Sequence, residues 1–447
     1  MRLRVRPQPG RALAGAATVP GDKSVSHRAL IFGALGTGDS VVTGFSGGDD
    51  NRRTAAALRA LGVGVEERGT TVIVHGAGLG GLTRAVGPLD CGNSGTTIRL
   101  LCGLLCGQPF PTALDGDASL RARPMRRVAE PLARMGARID GAPGARPGDI
   151  VPPLRVHGLA RGARLVGTTH DLAVASAQVK SAILLAALGA RGVTRVTEPE
   201  LSRDHTERLM AALGLPLSVI PGARPAVALD GDAVRPFPGR PFAVPGDLSS
   251  AAFLLAAGAL VPGSRVTVRG VSVNPTRTGV LDALTAMGLV IGRGAERDEG
   301  GEPTADLTVA ADDLAATHIA GALTVRSIDE LPILAALATR AAGTTEIRDA
   351  GELRVKESDR IATMAAELRR LGAELEELPD GLRVHGPAPL RGARCTAHGD
   401  HRVAMSLCVL ALVAEGETVV EEADSIVTSF PGFTAALGAL GADVTQE

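Results

Sequence analysis

A segment with the pattern of a short helix, ended by a glycine and followed by a strand, recurs six times in the 447 residues. The glycine follows a leucine or a methionine in every copy. The six glycines are Gly62, Gly136, Gly214, Gly288, Gly372 and Gly441. Glycine tolerates the left-handed conformation that commonly follows the last turn of a helix. The residues after it alternate apolar and polar, as in a half-buried strand. The repeat predicts one supersecondary unit used six times.

A second helix, apolar on nearly all sides, precedes each of these segments. Examples are HRALIFGAL at 27–35 and LSSAAFLLAAGAL at 248–260. A helix without a polar face is expected to be buried. One unit then has the order helix–strand–helix–strand–strand in roughly 75 residues, which is too long for a simple solenoid repeat.

The six units predict an α/β protein of two domains, each with three units, helices inside and sheets outside. The chain length also indicates two or three domains. A proline-rich stretch without periodicity at 235–245 marks the break. We expect one domain to comprise residues 22–241 and the other residues 1–21 and 242–447. A leading strand such as Leu3–Val5 would complete the second domain and make it discontinuous.

Composition excludes several classes of protein. Lys+Arg number 47 and Asp+Glu 48, and Trp and Tyr are absent, which argues against a nucleic-acid or membrane-surface binder. The apolar runs are shorter than the ~20 residues of a membrane helix, and MRLRVRPQPG has no secretory h-region. Five cysteines without a CxxC pair indicate reduced thiols in the cytoplasm. His398 and His401 lack a matching ligand pattern, so we expect no metal site.

Lysine occurs three times, at Lys23, Lys180 and Lys356, whereas arginine supplies the other basic residues. A lysine in such a chain is a candidate for a role that a guanidinium cannot fill, because its charge is compact and its pKa is tunable. All three lysines lie in or beside polar clusters.

Polar clusters begin the apolar helices: 21–28 (GDKSVSHR), 92–97 (GNSGTT), 176–180 (SAQVK), 246–250 (GDLSS), 329–330 (DE) and 399–402 (GDHR). Taken singly, each is explained by helix capping. Capping does not explain Lys23, Arg28 or Arg402, because the positive end of a helix disfavours a cation. These cations favour a ligand with several negative charges, and Arg123 adds a guanidinium suited to phosphate or carboxylate.

Two carboxylates among these cations, Asp329 and Glu357, are candidates for a base and an acid. Ordinary charge pairing is the alternative interpretation. Gly44–Gly48 fits the G-x-S-x-G pattern of a serine hydrolase with Ser46 as nucleophile. The Asp and Asn residues that follow indicate a turn and a helix cap instead.

Together the motifs resemble the 5-enolpyruvylshikimate-3-phosphate synthase family. They run over essentially the whole chain in the family's order: GDKSVSHRA, CGNSGTTIRL, LRARPM, ASAQVKSA, LSRDHTE, IDELP, RVKESDR, GDHRVAMS and TSFPGF. The resemblance implies two domains of three βαβαββ units with a ligand cleft between them. It implies transfer of the enolpyruvyl group of phosphoenolpyruvate to the 5-hydroxyl of shikimate 3-phosphate, with release of phosphate. It further implies a monomeric bacterial enzyme that needs no metal or organic cofactor.

The resemblance also assigns roles to residues of this chain. Asp329 would be the base and Glu357 the acid, assisted by Lys23. Shikimate 3-phosphate would contact Lys23, Ser24, Arg28, Ser176, Ala177, Gln178, Arg203, Asp329 and Lys356. Phosphoenolpyruvate would contact Lys23, Gly95, Arg123, Gln178, Arg360 and Arg402. Because Gly95 leaves the donor pocket without a Cβ, glyphosate is expected to compete with phosphoenolpyruvate.

Four positions depart from the family's better-known branch. Thr428 replaces a lysine, Ala177 a serine and Glu352 an asparagine, and Ser202 stands near a missing aromatic residue. SAQVKS and SRDHTE resemble a divergent bacterial branch, in which Arg203 would bind phosphate. Two alternatives stay open. One is the sister enzyme acting on UDP-N-acetylglucosamine, whose cysteine-bearing loop has no counterpart here. The other is a non-catalytic anion-binding module.

Overall fold

The computed structural model describes the backbone of all 447 residues and every side chain except that of Glu299. The chain divides into two compact units. Unit 1 comprises Met1–Pro20, Pro245–Asp298 and Pro303–Glu447, and unit 2 comprises Gly21–Val244 and Glu299–Glu302.

Strands and helices alternate along most of the chain. The strands are β1 (Leu3–Arg6), β2 (Ala14–Ala17), β3 (Thr37–Thr43), β4 (Gly64–Arg68), β5 (Thr71–Ala77), β6 (Leu89–Asp90), β7 (Thr112–Asp115), β8 (Ile139–Pro143), β9 (Ile150–Val156), β10 (Thr169–Asp171), β11 (Val193–Thr197), β12 (Leu217–Ile220), β13 (Ala226–Asp230), β14 (Phe242–Ala243), β15 (Arg265–Ser272), β16 (Gly292–Arg293), β17 (Arg297–Glu299), β18 (Glu302–Ala310), β19 (His318–Ile319), β20 (Gly343–Ile347), β21 (Glu374–Leu378), β22 (Gly381–Gly386), β23 (Arg394–Thr396), β24 (Thr418–Glu421) and β25 (Asp443–Gln446).

The helices are α1 (Lys23–Leu35), α2 (Asp49–Ala60), α3 (Gly95–Leu105), α4 (Ala118–Arg121), α5 (Arg126–Arg134), α6 (Ala177–Ala187), α7 (His205–Ala212), α8 (Leu248–Leu260), α9 (Gly279–Ala286), α10 (Ala322–Ser327), α11 (Leu331–Ala338), α12 (Arg360–Arg370), α13 (His401–Ala411) and α14 (Phe433–Ala439). Two 3₁₀ helices span Gly351–Val355 and Ala423–Thr428.

One sheet pattern is used six times. The first two strands are parallel, and the third and fourth each pair antiparallel with the strand before them in the sheet. Unit 2 has the orders β14-β3-β5-β4, β6-β7-β9-β8 and β10-β11-β13-β12, and unit 1 has β2-β15-β18-β16 with β17 beside β18, β19-β20-β22-β21 and β23-β24-β1-β25. The predicted six-fold repeat is therefore confirmed at the level of strand topology.

Three of the short strands pair with partners far away in the sequence. β1 lies between β24 and β25, so the predicted Leu3–Val5 strand does complete a sheet of unit 1. β2 pairs parallel to β15 in the same unit. β14 pairs parallel to β3 and so supplies the leading strand of unit 2. Residues 242–244 consequently lie in unit 2, whereas the sequence-based boundary assigns them to the other domain.

Glycines end the second helix of every repeat in the predicted way. All six have positive φ, between 69° at Gly214 and 109° at Gly441. A side chain with a Cβ is strained in this region of the backbone map. The left-handed residue therefore ends each helix and turns the chain toward the following strand.

The apolar helices form the interior of each unit. α1, α3 and α6 carry the core of unit 2, and α8, α11 and α13 carry that of unit 1. Beyond their first turns these helices are buried on nearly all sides; in α11, every residue from Leu331 to Ala338 is buried. α3 and α6 approach so closely that a Cβ at Gly103 would overlap the carbonyl oxygen of Ala182. The strands, by contrast, alternate buried and exposed residues, as in β3.

No helix in the described part of the chain is long and apolar enough to span a membrane. Among the described side chains, no group of three or more His, Cys, Asp or Glu residues is arranged to hold a metal ion.

Candidate active site

The first turns of the inner helices hold both helix caps and cations. Asp22, Ser94, Asp247 and Asp400 each accept a backbone N–H of the helix that follows. The capping interpretation of these clusters is therefore correct for four helices. α6 and α11 begin without a side-chain cap bond. The cations lie beside these caps, so capping does not account for the whole pattern.

Lys23 opens α1 and is partly exposed. Its Nζ donates to Asp50 Oδ2 at 3.0 Å. Asn51 donates to the Lys23 carbonyl oxygen and fixes the backbone at the helix start. The hydrogen bond to Asp50 therefore helps to fix the position of the Lys23 ammonium group.

Arg28 lies one turn further along α1 and is 4% exposed. Its guanidinium donates to Thr206 Oγ1 at 2.6 Å, to Ser181 Oγ at 2.7 Å and to the Ser24 carbonyl oxygen at 2.9 Å. Burial lowers the pKa of Arg28 to about 10, and the nearby charge of Arg203 acts in the same direction. A buried cation with a lowered pKa is stabilised by an incoming anion.

Gly95 begins α3 between two guanidinium groups. A Cβ at this position would lie 2.9 Å from Arg99 Nη1 and 3.0 Å from Arg123 Nη1. Arg123 also donates to Asn93 Oδ1. Arg99, which our sequence analysis did not single out, is 5% exposed in an otherwise apolar helix. An arginine inside the run TTIRLLCGLL was the signal that could have identified it.

Gln178 joins the starts of α3 and α6. Its Oε1 accepts from Arg99 Nη1 at 2.5 Å and its Nε2 donates to Thr96 Oγ1 at 2.9 Å. Ser176 and Ala177 stand beside Gln178 in the first turn of α6, and Arg203 lies in the segment just before α7. Unit 2 therefore concentrates polar donors at the positive ends of its inner helices, which is a favourable environment for phosphate or carboxylate.

Asp329 precedes α11 in unit 1, and three cations surround its carboxylate. Its Oδ1 lies 3.6 Å from Arg360 Nη1 and 3.9 Å from Lys356 Nζ, and its Oδ2 lies 3.8 Å from Arg402 Nη2. Arg402 also donates to the Asp329 carbonyl oxygen at 2.8 Å. The resemblance assigns Asp329 and Lys356 to the acceptor and Arg360 and Arg402 to the donor, and in the structure all three cations lie within 4 Å of the Asp329 carboxylate.

Arg360 is the most strongly paired cation of this group. It is 2% exposed and donates to Asp400 Oδ2 at 2.7 Å and to Glu357 Oε2 at 2.6 Å. Burial opposes its charge, but Asp400, Glu357 and Asp329 outweigh burial and raise the pKa of Arg360. By contrast, burial lowers the pKa of Lys356. Unit 1 thus places an acidic candidate, Glu357, within hydrogen-bond distance of a cation that stays charged.

Arg277 supplies the cation that the fourth polar cluster lacks. It is 2% exposed and donates to Asp247 Oδ1 at 3.3 Å and to Ser249 Oγ at 2.5 Å, at the start of α8. It lies 3.6 Å from Glu330 Oε1, which in turn lies 3.9 Å from Arg402 Nη1. Sequence reasoning missed this network because Arg277 follows a Pro-containing loop rather than opening a helix.

Two of the positions that depart from the family's better-known branch can now be placed in the structure. Glu352 lies 4.0 Å from Lys356 Nζ, so the acidic replacement faces the cation group. Thr428 ends a 3₁₀ helix and donates to the Ser425 carbonyl oxygen.

Ser46, the nucleophile that the serine hydrolase pattern would need, is 5% exposed, and its backbone N–H donates to Ser26 Oγ. All five cysteines are buried, and burial raises the pKa of each thiol. These positions provide no exposed nucleophile of the kind that a serine hydrolase or a cysteine loop needs.

This chain is similar in sequence to a family of known enzymes. Residues 7–437 match the family EPSP synthase (3-phosphoshikimate 1-carboxyvinyltransferase). A protein from Geobacter sp. (strain M21) named 3-phosphoshikimate 1-carboxyvinyltransferase is 50% identical over 426 residues, covering 95% of this chain and 96% of that protein. A protein of the same name from Anaeromyxobacter sp. (strain Fw109-5) is 51% identical over 433 residues, 96% of each chain.

Solved structures give the same result. EPSP synthase from Acinetobacter baumannii has a TM-score of 0.86 and 40% identity, and the match covers 100% of both chains. The enolpyruvyl transferase NikO from Streptomyces tendae has a TM-score of 0.77 at 20% identity, covering 99% of this chain and 98% of that chain. This second likeness bears on the fold alone. The predicted fold class and family resemblance are confirmed.

Protonation of Asp400 at low pH should lower the free energy of unfolding of unit 1. Burial and the charge of Glu357 favour the neutral carboxyl of Asp400, but the charge and hydrogen bond of Arg360 outweigh them and lower its pKa. Its contribution to stability is then present above the pKa of an unfolded aspartate, about 3.9, and is lost as the pH falls through the lower folded value. We expect Asp400→Asn to lower the free energy of unfolding by about 3–5 kcal/mol at pH 7, since it breaks a buried pair.

Denaturant unfolding of the wild type and Asp400→Asn between pH 7 and pH 3 measures this effect. The difference in unfolding free energy should be full at pH 5 and above and should shrink below pH 4. Exposed Asp312→Asn is the control and should change the free energy by less than about 0.5 kcal/mol. A difference that stays constant down to pH 3 would contradict the assignment.

Proposed function

The chain belongs to the EPSP synthase family, and from this premise we propose how its residues perform the reaction of a 3-phosphoshikimate 1-carboxyvinyltransferase. The enzyme transfers the enolpyruvyl group of phosphoenolpyruvate to the 5-hydroxyl of shikimate 3-phosphate and releases phosphate. The observation that supports these roles best is the position of Asp329, a carboxylate with three cations within 4 Å and Glu357 in the same group.

The acceptor substrate is assigned to residues from both units. Shikimate 3-phosphate carries a phosphate and a carboxylate, so it needs several cationic or N–H donors. In unit 2, the donors at the starts of α1 and α6 and Arg203 suit these groups. In unit 1, Asp329 and Lys356 suit the shikimate hydroxyls. The proposed contacts are Lys23, Ser24, Arg28, Ser176, Ala177, Gln178, Arg203, Asp329 and Lys356.

The donor substrate is assigned to the guanidinium groups. Phosphoenolpyruvate is small and highly charged, and planar guanidinium groups bind its phosphate and carboxylate in a bidentate manner. Gly95 leaves space between Arg99 and Arg123 for one of these groups. The proposed contacts are Lys23, Gly95, Arg123, Gln178, Arg360 and Arg402, to which we add Arg99.

The chemical steps follow from the proposed residue roles. Asp329 removes the proton of the 5-hydroxyl as that oxygen attacks C2 of phosphoenolpyruvate. Glu357, assisted by Lys23, protonates the methylene carbon and so forms a tetrahedral intermediate. Loss of phosphate and of a methyl proton from this intermediate regenerates the double bond. The cations stabilise the charges of the phosphate groups throughout, which is the kind of preorganisation that usually dominates catalysis.

Two further parts of the proposal rest on the family resemblance. The enzyme acts as a monomer in the cytoplasm. It needs neither a metal ion nor an organic cofactor.

Phosphate release with two different acceptors tests the proposal. With phosphoenolpyruvate as donor, we expect release in the presence of shikimate 3-phosphate and none above background with UDP-N-acetylglucosamine. Release with the nucleotide sugar alone would establish the sister activity. Binding of shikimate 3-phosphate without release from either acceptor would support an anion-binding module instead.

Removal of the proposed base or acid should lower kcat with small effects on binding. Asp329→Asn and Glu357→Gln keep the shape of each side chain but remove the group that accepts or donates a proton, and such losses typically cost about 10²- to 10⁴-fold in rate. Exposed Glu374→Gln, on β21 of the same unit, is the matched control and should retain wild-type activity. Wild-type kcat in both Asp329→Asn and Glu357→Gln would remove these residues from the mechanism.

A methyl group at Gly95 should weaken both the donor and glyphosate. The Cβ of Gly95→Ala would displace the Arg99 and Arg123 guanidinium groups, which lie 2.9 and 3.0 Å from it. We expect KM for phosphoenolpyruvate and the inhibition constant of glyphosate to rise by roughly 10-fold or more, since one misplaced methyl in a fitted pocket has an effect of this order. Gly107→Ala, just beyond the end of α3 where a Cβ would meet nothing closer than 4.0 Å, is the control. An unchanged inhibition constant in Gly95→Ala would contradict the assignment.

A further inference from the structure

Lys180 is the one lysine to which neither the family resemblance nor the reaction assigns a role. It lies in α6, one turn beyond Ser176, and is 1% exposed. Two carboxylates flank its ammonium group: Glu198 Oε2 and Glu207 Oε1 each lie 2.7 Å from Nζ. Both carboxylates are buried as well, with exposures of 2% and 5%. The three side chains are here called the Lys180 triad.

The triad uses the three donors of an ammonium group. Nζ donates to Glu198 and to the Ser202 carbonyl oxygen at 3.3 Å, and it pairs with Glu207. Burial opposes its charge, but the two carboxylates outweigh burial and raise the pKa of Lys180. Three acceptors around one point suit a compact tetrahedral donor and not a planar guanidinium. This is a physical reason for a lysine in a chain that otherwise uses arginine.

Glu198 links the triad to the residues proposed to bind the acceptor phosphate. Its Oε1 accepts the backbone N–H of Ser176 at 3.1 Å and the hydroxyl of Ser202 at 2.6 Å. Its Oε2 accepts the backbone N–H of Ser202 at 3.4 Å. Ser176 immediately precedes α6, and Ser202 immediately precedes Arg203 in the chain. One carboxylate therefore fixes both segments.

The other arm of the triad leads to Arg28. Glu207 lies in the first turn of α7, next to Thr206, whose hydroxyl accepts the Arg28 Nε–H at 2.6 Å. Ser181, next to Lys180 on α6, accepts from the Arg28 Nη2–H at 2.7 Å. Ser181 and Thr206 also share a hydrogen bond of 2.7 Å. The triad thus joins the three segments that carry Ser176, Arg203 and the supports of Arg28.

We propose that Lys180 and Glu198 are positioning residues of the acceptor site: they hold Ser176 and Arg203 where the phosphate of shikimate 3-phosphate binds. The inference rests on the proposed function, because it assumes that these residues contact that phosphate. The triad's contacts reach Ser176 and, through Ser181 and Thr206, the surroundings of Arg28, which are assigned to the acceptor. Gln178, on the same helix as Lys180, is assigned to both substrates. Loss of the triad should therefore affect the acceptor substrate more strongly than the donor.

Glu198→Gln is the sharpest test, because it keeps the shape of the side chain. One acceptor oxygen becomes an NH2 donor, so either Lys180 or the Ser176 N–H loses its partner whichever way the amide turns. We expect KM for shikimate 3-phosphate to rise roughly 10- to 100-fold, the order of effect of a misplaced binding group. The kcat value and KM for phosphoenolpyruvate should change by less than about 3-fold.

Lys180→Arg and Lys180→Met test the charge. A cavity of about 390 Å³ borders Lys180, Glu198 and Glu207, and Lys180→Arg keeps the positive charge beside it. KM for shikimate 3-phosphate in Lys180→Arg should lie between those of the wild type and Lys180→Met. Lys180→Met leaves two buried carboxylates without their cation and can fail to fold; in that event Glu198→Gln decides alone.

Two controls separate positioning from general stability. Glu200→Gln changes an exposed carboxylate two residues from Glu198 and should leave all constants at wild-type values. Val196→Ala removes buried volume from β11 beside the same cavity and should lower the melting temperature without shifting KM for shikimate 3-phosphate. A wild-type KM in Glu198→Gln would overturn the inference, and so would parallel losses in kcat and both KM values. A wild-type chain inactive on shikimate 3-phosphate would overturn the proposed function as well, which distinguishes the two failures.

Discussion

Buried cations at the starts of buried helices are the constraint on which this structure depends. The positive end of a helix disfavours a cation, and burial disfavours any unpaired charge. Carboxylates at the same or a neighbouring helix start offset both costs, as in the Arg360–Asp400 pair at 2.7 Å, which joins the starts of α12 and α13. The same carboxylate also caps the following helix, since Asp400 accepts the backbone N–H of Arg402 at 2.9 Å. A carboxylate that caps a helix can therefore also pair with a buried cation.

The repeated unit explains why such clusters arise together. In each repeat, a strand delivers the chain to the start of an inner helix, and a glycine with positive φ returns it from the second helix to the sheet. Helix starts in a unit thereby become equivalent positions, and a few polar or cationic residues at each of them produce an environment that favours anions. In unit 2, Lys23, Arg28 and Gln178 occupy such positions at the starts of inner helices. In unit 1, Arg402 and Asp329 do.

The repeated unit and its polar clusters could be predicted from the sequence, because the residue patterns that indicate them are local. The Leu-Gly and Met-Gly stops, the apolar helices and the polar clusters each occupy a few consecutive residues. The pairing of β2 with β15 and of β14 with β3 could not be predicted in this way. The strands β2 and β14 are four and two residues long, and each pairs with a strand about 200 residues away or more. Arg277 and the partners of Lys180 were missed for a related reason. Their roles depend on which segments the sheets bring together, and no spacing in the sequence records that.

A crystal structure with shikimate 3-phosphate and glyphosate bound would show directly whether these clustered cations bind two polyanionic substrates. We expect the shikimate phosphate within hydrogen-bond distance of Ser176, Gln178 and Arg203, and the phosphonate or carboxylate of glyphosate on Arg123, Arg360 or Arg402. Ligand density on other residues, with Arg360 and Arg402 still paired with their carboxylate partners, would contradict this expectation. The cations would then be parts of the fold alone.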